Sequence, residues 1–138
     1  MKKILVAVDG SDASLAGVRL AAEIARGMQA PLELVYVCAP NLLPADVYAG
    51  VIAKIEAEEK TFARMLLERA QGEAKGVTSS QVMLSGSPAE AIADHAERSD
   101  ASMVVVGSRG RGAVQRVLLG SVADRLVRVC KRPVLVAR

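Results

Sequence analysis

The sequence predicts a single doubly wound α/β domain with a five-stranded parallel sheet and helices on both faces, and three observations point to it. Ile4 to Val8 and Val104 to Val106 are unbroken apolar runs, as expected of strands buried on both sides. Stretches of helical periodicity alternate with the apolar runs along the whole chain, which is the order of a βαβ fold. The 138 residues, 51% of them hydrophobic, suffice for one core and show neither an internal repeat nor a second one.

The first strand, Ile4 to Val8, stops at Asp9-Gly10-Ser11. Ser11 reads as the cap of a helix whose apolar positions Leu15, Val18, Ala22 and Ala25 recur at helical spacing, with Gly27 and Pro31 expected to end it. Asp9 then stands at the carboxyl end of a strand, where open α/β sheets place ligand groups, although an aspartate there can equally serve the turn. Leu32 to Cys38 is the second strand and Ala39 to Pro44 a loop with two prolines. A long helix follows, Ala45 to Ala74, with Val47, Val51, Ile55, Phe62, Leu66 and Ala70 expected inward and Glu56, Glu58, Glu59 and Lys60 outward.

Gln81 to Ser85 is a less hydrophobic strand, as befits a sheet edge. Ser87-Pro88-Ala89-Glu90 carries a cap, a proline at the first helical position and an acid three residues after the cap. His95, the single histidine, lies on that helix and reads as a surface residue, because no Cys, Ser or second His stands at a catalytic or ligating spacing. Ser102 to Val106 is the fourth strand and Arg132 to Ala137 the fifth. Between them Ser121 reads as an N-cap, with Asp124 three residues on and Val122, Leu126 and Val129 at helical spacing.

Most of the chemistry lies in the stretch before that helix. Val104-Val105-Val106-Gly107-Ser108-Arg109-Gly110-Arg111-Gly112 is a strand running into a glycine-rich loop, and Gly120-Ser121 follows. Glycines ahead of a helix N-terminus admit an anion to unpaired backbone N–H groups, but a tight connection has the same composition. No Lys precedes the Ser, so this is not a P-loop, and the glycine order is wrong for the dinucleotide fingerprint.

Net charge is +3, divided unevenly: residues 1–100 carry fourteen acids against ten bases, residues 101–138 one acid against eight bases. The loop thus sits in a basic segment, which suits an anionic ligand, while Arg125, Arg128, Lys131 and Arg132 also fit a solvated helix face. Two Tyr, one Phe and no Trp leave little to stack nucleobases, which argues against single-stranded nucleic acid as a partner. Cys38 and Cys130 have no metal-ligand spacing and read as buried thiols. Lys2-Lys3 and five apolar residues are too short for a signal peptide and no run could span a membrane, so a cytoplasmic protein is expected.

The spacing G-x-x-G, nine residues, then G-S resembles the nucleotide-binding signature of the universal stress protein family in its ATP-binding branch. Val-Val-Val-Gly-Ser before it, Gly120-Ser121-Val122-Ala123 within it, Pro133-Val134-Leu135-Val136 after it and Val8-Asp9-Gly10-Ser11 near the start extend the resemblance over nearly the whole chain. The resemblance implies strand order 3-2-1-4-5, with Asp9 and the Gly107 loop flanking one crevice, and ATP, possibly with Mg²⁺, as the ligand. Asp9 would lie beside the ribose and adenine and take either the ribose or the metal environment, with the main chain near Val37 at the adenine edge. Val106, Gly107, Gly110, Gly120, Ser121 and Val122 would lie around the phosphates, with charge from Arg109; the metal ligands are not specified. Leu42 and Leu43 either cover the base or anchor their loop.

No catalytic residue is assigned, and without a P-loop Lys or a base to orient water any ATP hydrolysis is expected to be slow. The alternatives are a nucleotide-hydrolysing or -transferring enzyme, which would have to use Asp9 or Arg109, and an interaction module for nucleic acid or protein. A homodimer through the fifth strand, at Val134, Leu135 and Val136, is also implied, since an apolar edge without inward charge is a template for pairing.

Overall fold

The computed structural model describes residues 2–40, 43–44, 46–110 and 119–138. The elements are β1 (Ile4–Ala7), α1 (Asp12–Met28), β2 (Leu32–Cys38), α2 (Ala49–Glu73), β3 (Ser79–Ser85), α3 (Pro88–Arg98), β4 (Met103–Gly107), α4 (Ser121–Val129) and β5 (Val134–Ala137). All four strand pairings are parallel and the order is β3-β2-β1-β4-β5, as expected from the sequence.

Both faces of the sheet are covered, which is why its central strands need no polar alternation. Ile4, Val6, Leu32, Leu34 and Val105 pack under α1 and α2. Leu5, Val35, Val104 and Val106 pack under α3 and α4. Because β1 lies between β2 and β4, the crossover helices leave on opposite faces there, and a crevice opens at the carboxyl ends of those strands.

Several local expectations need correction. Gly27 does not stop α1: the helix runs through it to Met28, and Gln29 takes the left-handed position (φ 53°), its N–H bonding Arg26 O and the next N–H, of Ala30, bonding Ala25 O. The N-cap of α4 is Gly120, not Ser121, so Ser121 is the first helical residue and no capping box forms; Asp124 pairs with Arg128 instead. Ser87 does occupy the N-cap of α3, but its side chain makes no cap bond, and Glu90 reaches across to Arg125 at 2.7 Å.

In α2 the helix begins at Ala49, and its buried residues are Ala63, Leu66, Leu67 and Ala70. Val51 and Ile55, expected inward, are exposed. The buried residues of α2 run from Ala63 to Ala70, so the second half of the helix is the part that packs into the core. Asn41, Leu42, Ala45, Arg111, Gly112 and Arg116 lie outside the described residues.

Candidate functional site

At the carboxyl edge of the sheet lies a cleft of about 920 Å³, at the upper end of the range for small-molecule sites. Asp9, Val37, Val106, Gly107, Gly110, Gly120, Ser121 and Val122 all line it, so eight of the nine residues singled out from sequence share one wall system. Arg109 does not line it. Its carbonyl instead lies 3.3 Å from Ser11 Oγ, on the seam between the two loops.

Asp9 organises the β1 side. Its Oδ1 accepts from Ser11 N at 2.8 Å and Ser11 Oγ at 2.6 Å, and Ser11 Oγ in turn accepts from Ser14 N at the start of α1. Asp9 Oδ1 thus closes the turn, and the residue also forms part of the cleft wall. Ser14, which sequence reasoning missed, is buried; its Oγ donates to Ala7 O and accepts from Asp9 N, fixing the strand end on which Asp9 stands. A serine in the first turn of a helix is too common a feature to have signalled this.

On the β4 side two glycines are set by contacts within the protein. A Cβ on Gly107 would lie 2.8 Å from the backbone of Ala13 and Ser14, so this glycine lets α1 lie directly on the end of β4. At Gly120 a Cβ would meet Arg109 Cα and Ser108 O at 3.2 Å, because Gly120 N donates to Ser108 O at 2.5 Å. Ser108, buried and not foreseen, also donates its N–H to Ala137 O at 2.6 Å, which anchors the loop to β5.

The helix start is the most polar part of the wall. Gly120 has no side chain to cap α4, and the first ladder bond is Asp124 N to Gly120 O, so the N–H groups of Ser121, Val122 and Ala123 stand outside the helical ladder on a wall of the cleft. Apolar groups, Val37, Ile92, Val106 and Leu119, also line the cleft; Ile92 comes from α3 and Leu119 precedes Gly120, and neither was among the site residues expected from sequence. Two carboxylates, Asp9 and Asp124, line the cleft, and among the described residues no group of three or more His, Cys, Asp or Glu could hold a metal ion by itself.

The basic C-terminal segment contributes less field to the cleft than its sequence suggests. Arg125 pairs with Glu90, Lys131 with Glu97 and Arg132 with Asp100, so α3 and the turn after it supply the counter-charges. The hydrogen bond from Arg125 holds the Glu90 carboxyl below its ordinary value.

His95 is not a surface bystander, as the sequence suggested. Its Nε2 lies 2.5 Å from Glu33 Oε1, and Glu33 Oε2 takes Lys3 Nζ at 2.9 Å. Glu33 is buried on β2, opposite Leu5 in register and on the face covered by α3. This cluster is structural, and none of its members lines the cleft.

The profile of the Universal stress protein family matches residues 1–138. A universal stress protein of Bacillus subtilis is 33% identical over 145 aligned residues, covering 99% of this chain and 98% of that protein. Among solved structures, the universal stress protein UspA from Lactobacillus plantarum has a TM-score of 0.90 at 26% identity, over 99% of this chain and 97% of that one. The universal stress protein from Archaeoglobus fulgidus, solved in complex with dAMP, has a TM-score of 0.73 at 27% identity, over 100% and 98%. No described helix is long and apolar enough to cross a membrane. With the sheet order, the glycine loop and these matches in agreement, the chain belongs to the universal stress protein family.

Proposed function

We propose that this chain binds an adenine nucleotide, ATP before AMP, in the cleft between Asp9 and Gly120, and acts as a stress or signalling protein through the occupancy of that site. One observation carries the reading: the uncapped start of α4, where the N–H groups of Ser121 and Val122 and the positive end of the helix dipole stand beside Gly110 and Gly120. Phosphates belong there, and the adenine belongs against Val37 and Ile92, with the ribose at Asp9. A relative solved with dAMP supports the same class of ligand.

Mg²⁺ fits as a companion of the phosphates rather than as a resident ion. That metal is commonly held by one or two carboxylates plus phosphate oxygens and water, and Asp9 and Asp124 are the carboxylates on this wall. The metal contributes charge neutralisation when bound. Asp9 orients its loop, and the α4 N–H groups position the phosphates.

Hydrolysis is slow or absent in this reading, since among the described residues no lysine lines the cleft and Asp9 Oδ1 is already committed to Ser11. The chain is cytoplasmic and pairs through β5 at Val134, Leu135 and Val136. The direct experiment is to purify the protein without added nucleotide, extract it and identify what it carries. An adenine nucleotide near one per chain supports the proposal; a different ligand class in that amount overturns it.

A further inference from the structure

Gly107, Gly110 and Gly120 share a property that composition does not reveal: at each of them a side chain would run into the protein itself. Gly107 has the start of α1 in that space, and Gly120 has Ser108 and Arg109. At Gly110 the obstacle is a functional group. A Cβ there would lie 3.0 Å from Asp9 Oδ2, and among the described residues no other atom beyond its chain neighbours comes within 4 Å. Gly110 is exposed and its φ lies outside the left-handed region, so neither core packing nor backbone conformation asks for glycine at this position.

Neither side of that contact has much room to step back. The two bonds from Ser11 both use Asp9 Oδ1, at 2.8 Å and 2.6 Å, so the carboxylate is pinned by one oxygen and the other faces Gly110. On the loop side, the carbonyl of Arg109 is 3.3 Å from Ser11 Oγ, and the Gly110 amide lies 3.5 Å from where a Cβ on Gly120 would sit. Residues 109 and 110 are thus held between the Asp9 turn and Gly120. A methyl group at position 110 must therefore turn the carboxylate about Oδ1 and shift Oδ2 along the cleft wall, which Asp9 and Gly110 both line.

We propose that Gly110 is a positioning residue that acts through Asp9. It lacks a side chain so that Oδ2, the oxygen not committed to Ser11, stands where it accepts from a ribose hydroxyl, rather than to make room for a phosphate. The proposal rests on the adenine-nucleotide reading of the cleft, and it assigns this glycine to the sugar end of the ligand and so to discrimination between nucleotides with and without ribose hydroxyls.

The test is a cycle of Gly110→Ala and Asp9→Ala, singly and together, read by calorimetry with ATP and dideoxy-ATP, which lacks both ribose hydroxyls, and by thermal melts of the nucleotide-free proteins. Asp9→Ser, which keeps an oxygen near Ser11 while removing Oδ2, is the second background. Wild type is expected to prefer ATP over the dideoxy analogue about tenfold, as a hydrogen bond to a charged acceptor implies. Gly110→Ala should weaken ATP about fivefold, change the dideoxy analogue less than about twofold, and lower the melting temperature. With Asp9 replaced, the same substitution should alter neither ATP affinity nor melting temperature, because nothing remains for the methyl group to meet. A Gly110→Ala protein that loses both ligands equally, or loses as much ATP affinity without Asp9 as with it, would overturn the proposal and return Gly110 to the phosphates. Equal binding of ATP and dideoxy-ATP by wild type would remove the ribose role. Wild type binding neither would overturn the nucleotide reading itself, a failure that the melts tell apart from a missing contact between Asp9 and Gly110.

Discussion

His95 Nε2 lies 2.5 Å from Glu33 Oε1, a contact between residues 62 apart in sequence that ties α3 to the core strand β2. Burial pushes the Glu33 carboxyl up, but hydrogen bonds from His95 and Lys3, with the Lys3 charge, outweigh it and hold the group below its ordinary 4.5. A carboxyl lowered in the folded state gives stability that is complete above the unfolded value and is lost as pH falls through the folded one. Glu33→Gln is therefore expected to cost about 2 kcal/mol at neutral pH. It should also flatten the fall in melting temperature between about pH 5 and pH 3. Thermal melts across that range check both, and an acid slope equal to wild type would contradict the linkage.

Gly27 and Gly107 make opposite predictions. Gly27 lies inside α1 with nothing within 4 Å of where a Cβ would sit, so Gly27→Ala should stabilise the protein by about 0.5–1 kcal/mol through helix propensity. Gly107→Ala must push α1 off the end of β4 and should destabilise by about 1–3 kcal/mol. Urea titrations resolve both signs. A stable Gly107→Ala would mean that the α1–β4 contact is looser than 2.8 Å implies.

The β5 edge predicts which proline would disrupt the proposed pairing of copies. Pro133 O and Ala137 O accept bonds from β4 and the loop after it, so Leu135, on the same side, faces the internal ladder, and the outward N–H groups belong to Val134 and Val136. Val136→Pro should weaken pairing between copies with little loss of fold, whereas Leu135→Pro should damage the sheet itself. Analytical ultracentrifugation with parallel melts separates them; a Val136→Pro protein that associates like wild type would rule out this edge.

The fold was legible because strands buried on both faces leave unbroken apolar runs, and Ile4 to Val8 and Val104 to Val106 are such runs. The lining of the cleft was legible because the sheet order implied by the family resemblance brings two loops together, each of which alone also fits a plain turn. Other features were not legible. Helical periodicity shows that α2 has apolar positions but not which of them the core covers, so it predicts Val51 and Ile55 inward where burial begins only at Ala63. The pairing of Glu33 with His95 leaves no local pattern, since it joins β2 to α3. A cap serine and a first-turn serine look alike when a glycine precedes them, which is how Ser121 was mistaken for the cap that Gly120 provides.

The most direct measurement of the central claim is calorimetric titration of ATP into nucleotide-free wild type and into Ser121→Asp. A carboxylate in the first turn of α4 suits the helix dipole, so the variant should melt like wild type while repelling phosphate from the N–H groups of Ser121 and Val122. The account predicts saturable binding at one nucleotide per chain in wild type and a loss of about tenfold or more in Ser121→Asp. Equal affinity in the two proteins, or no binding by folded wild type, would contradict it.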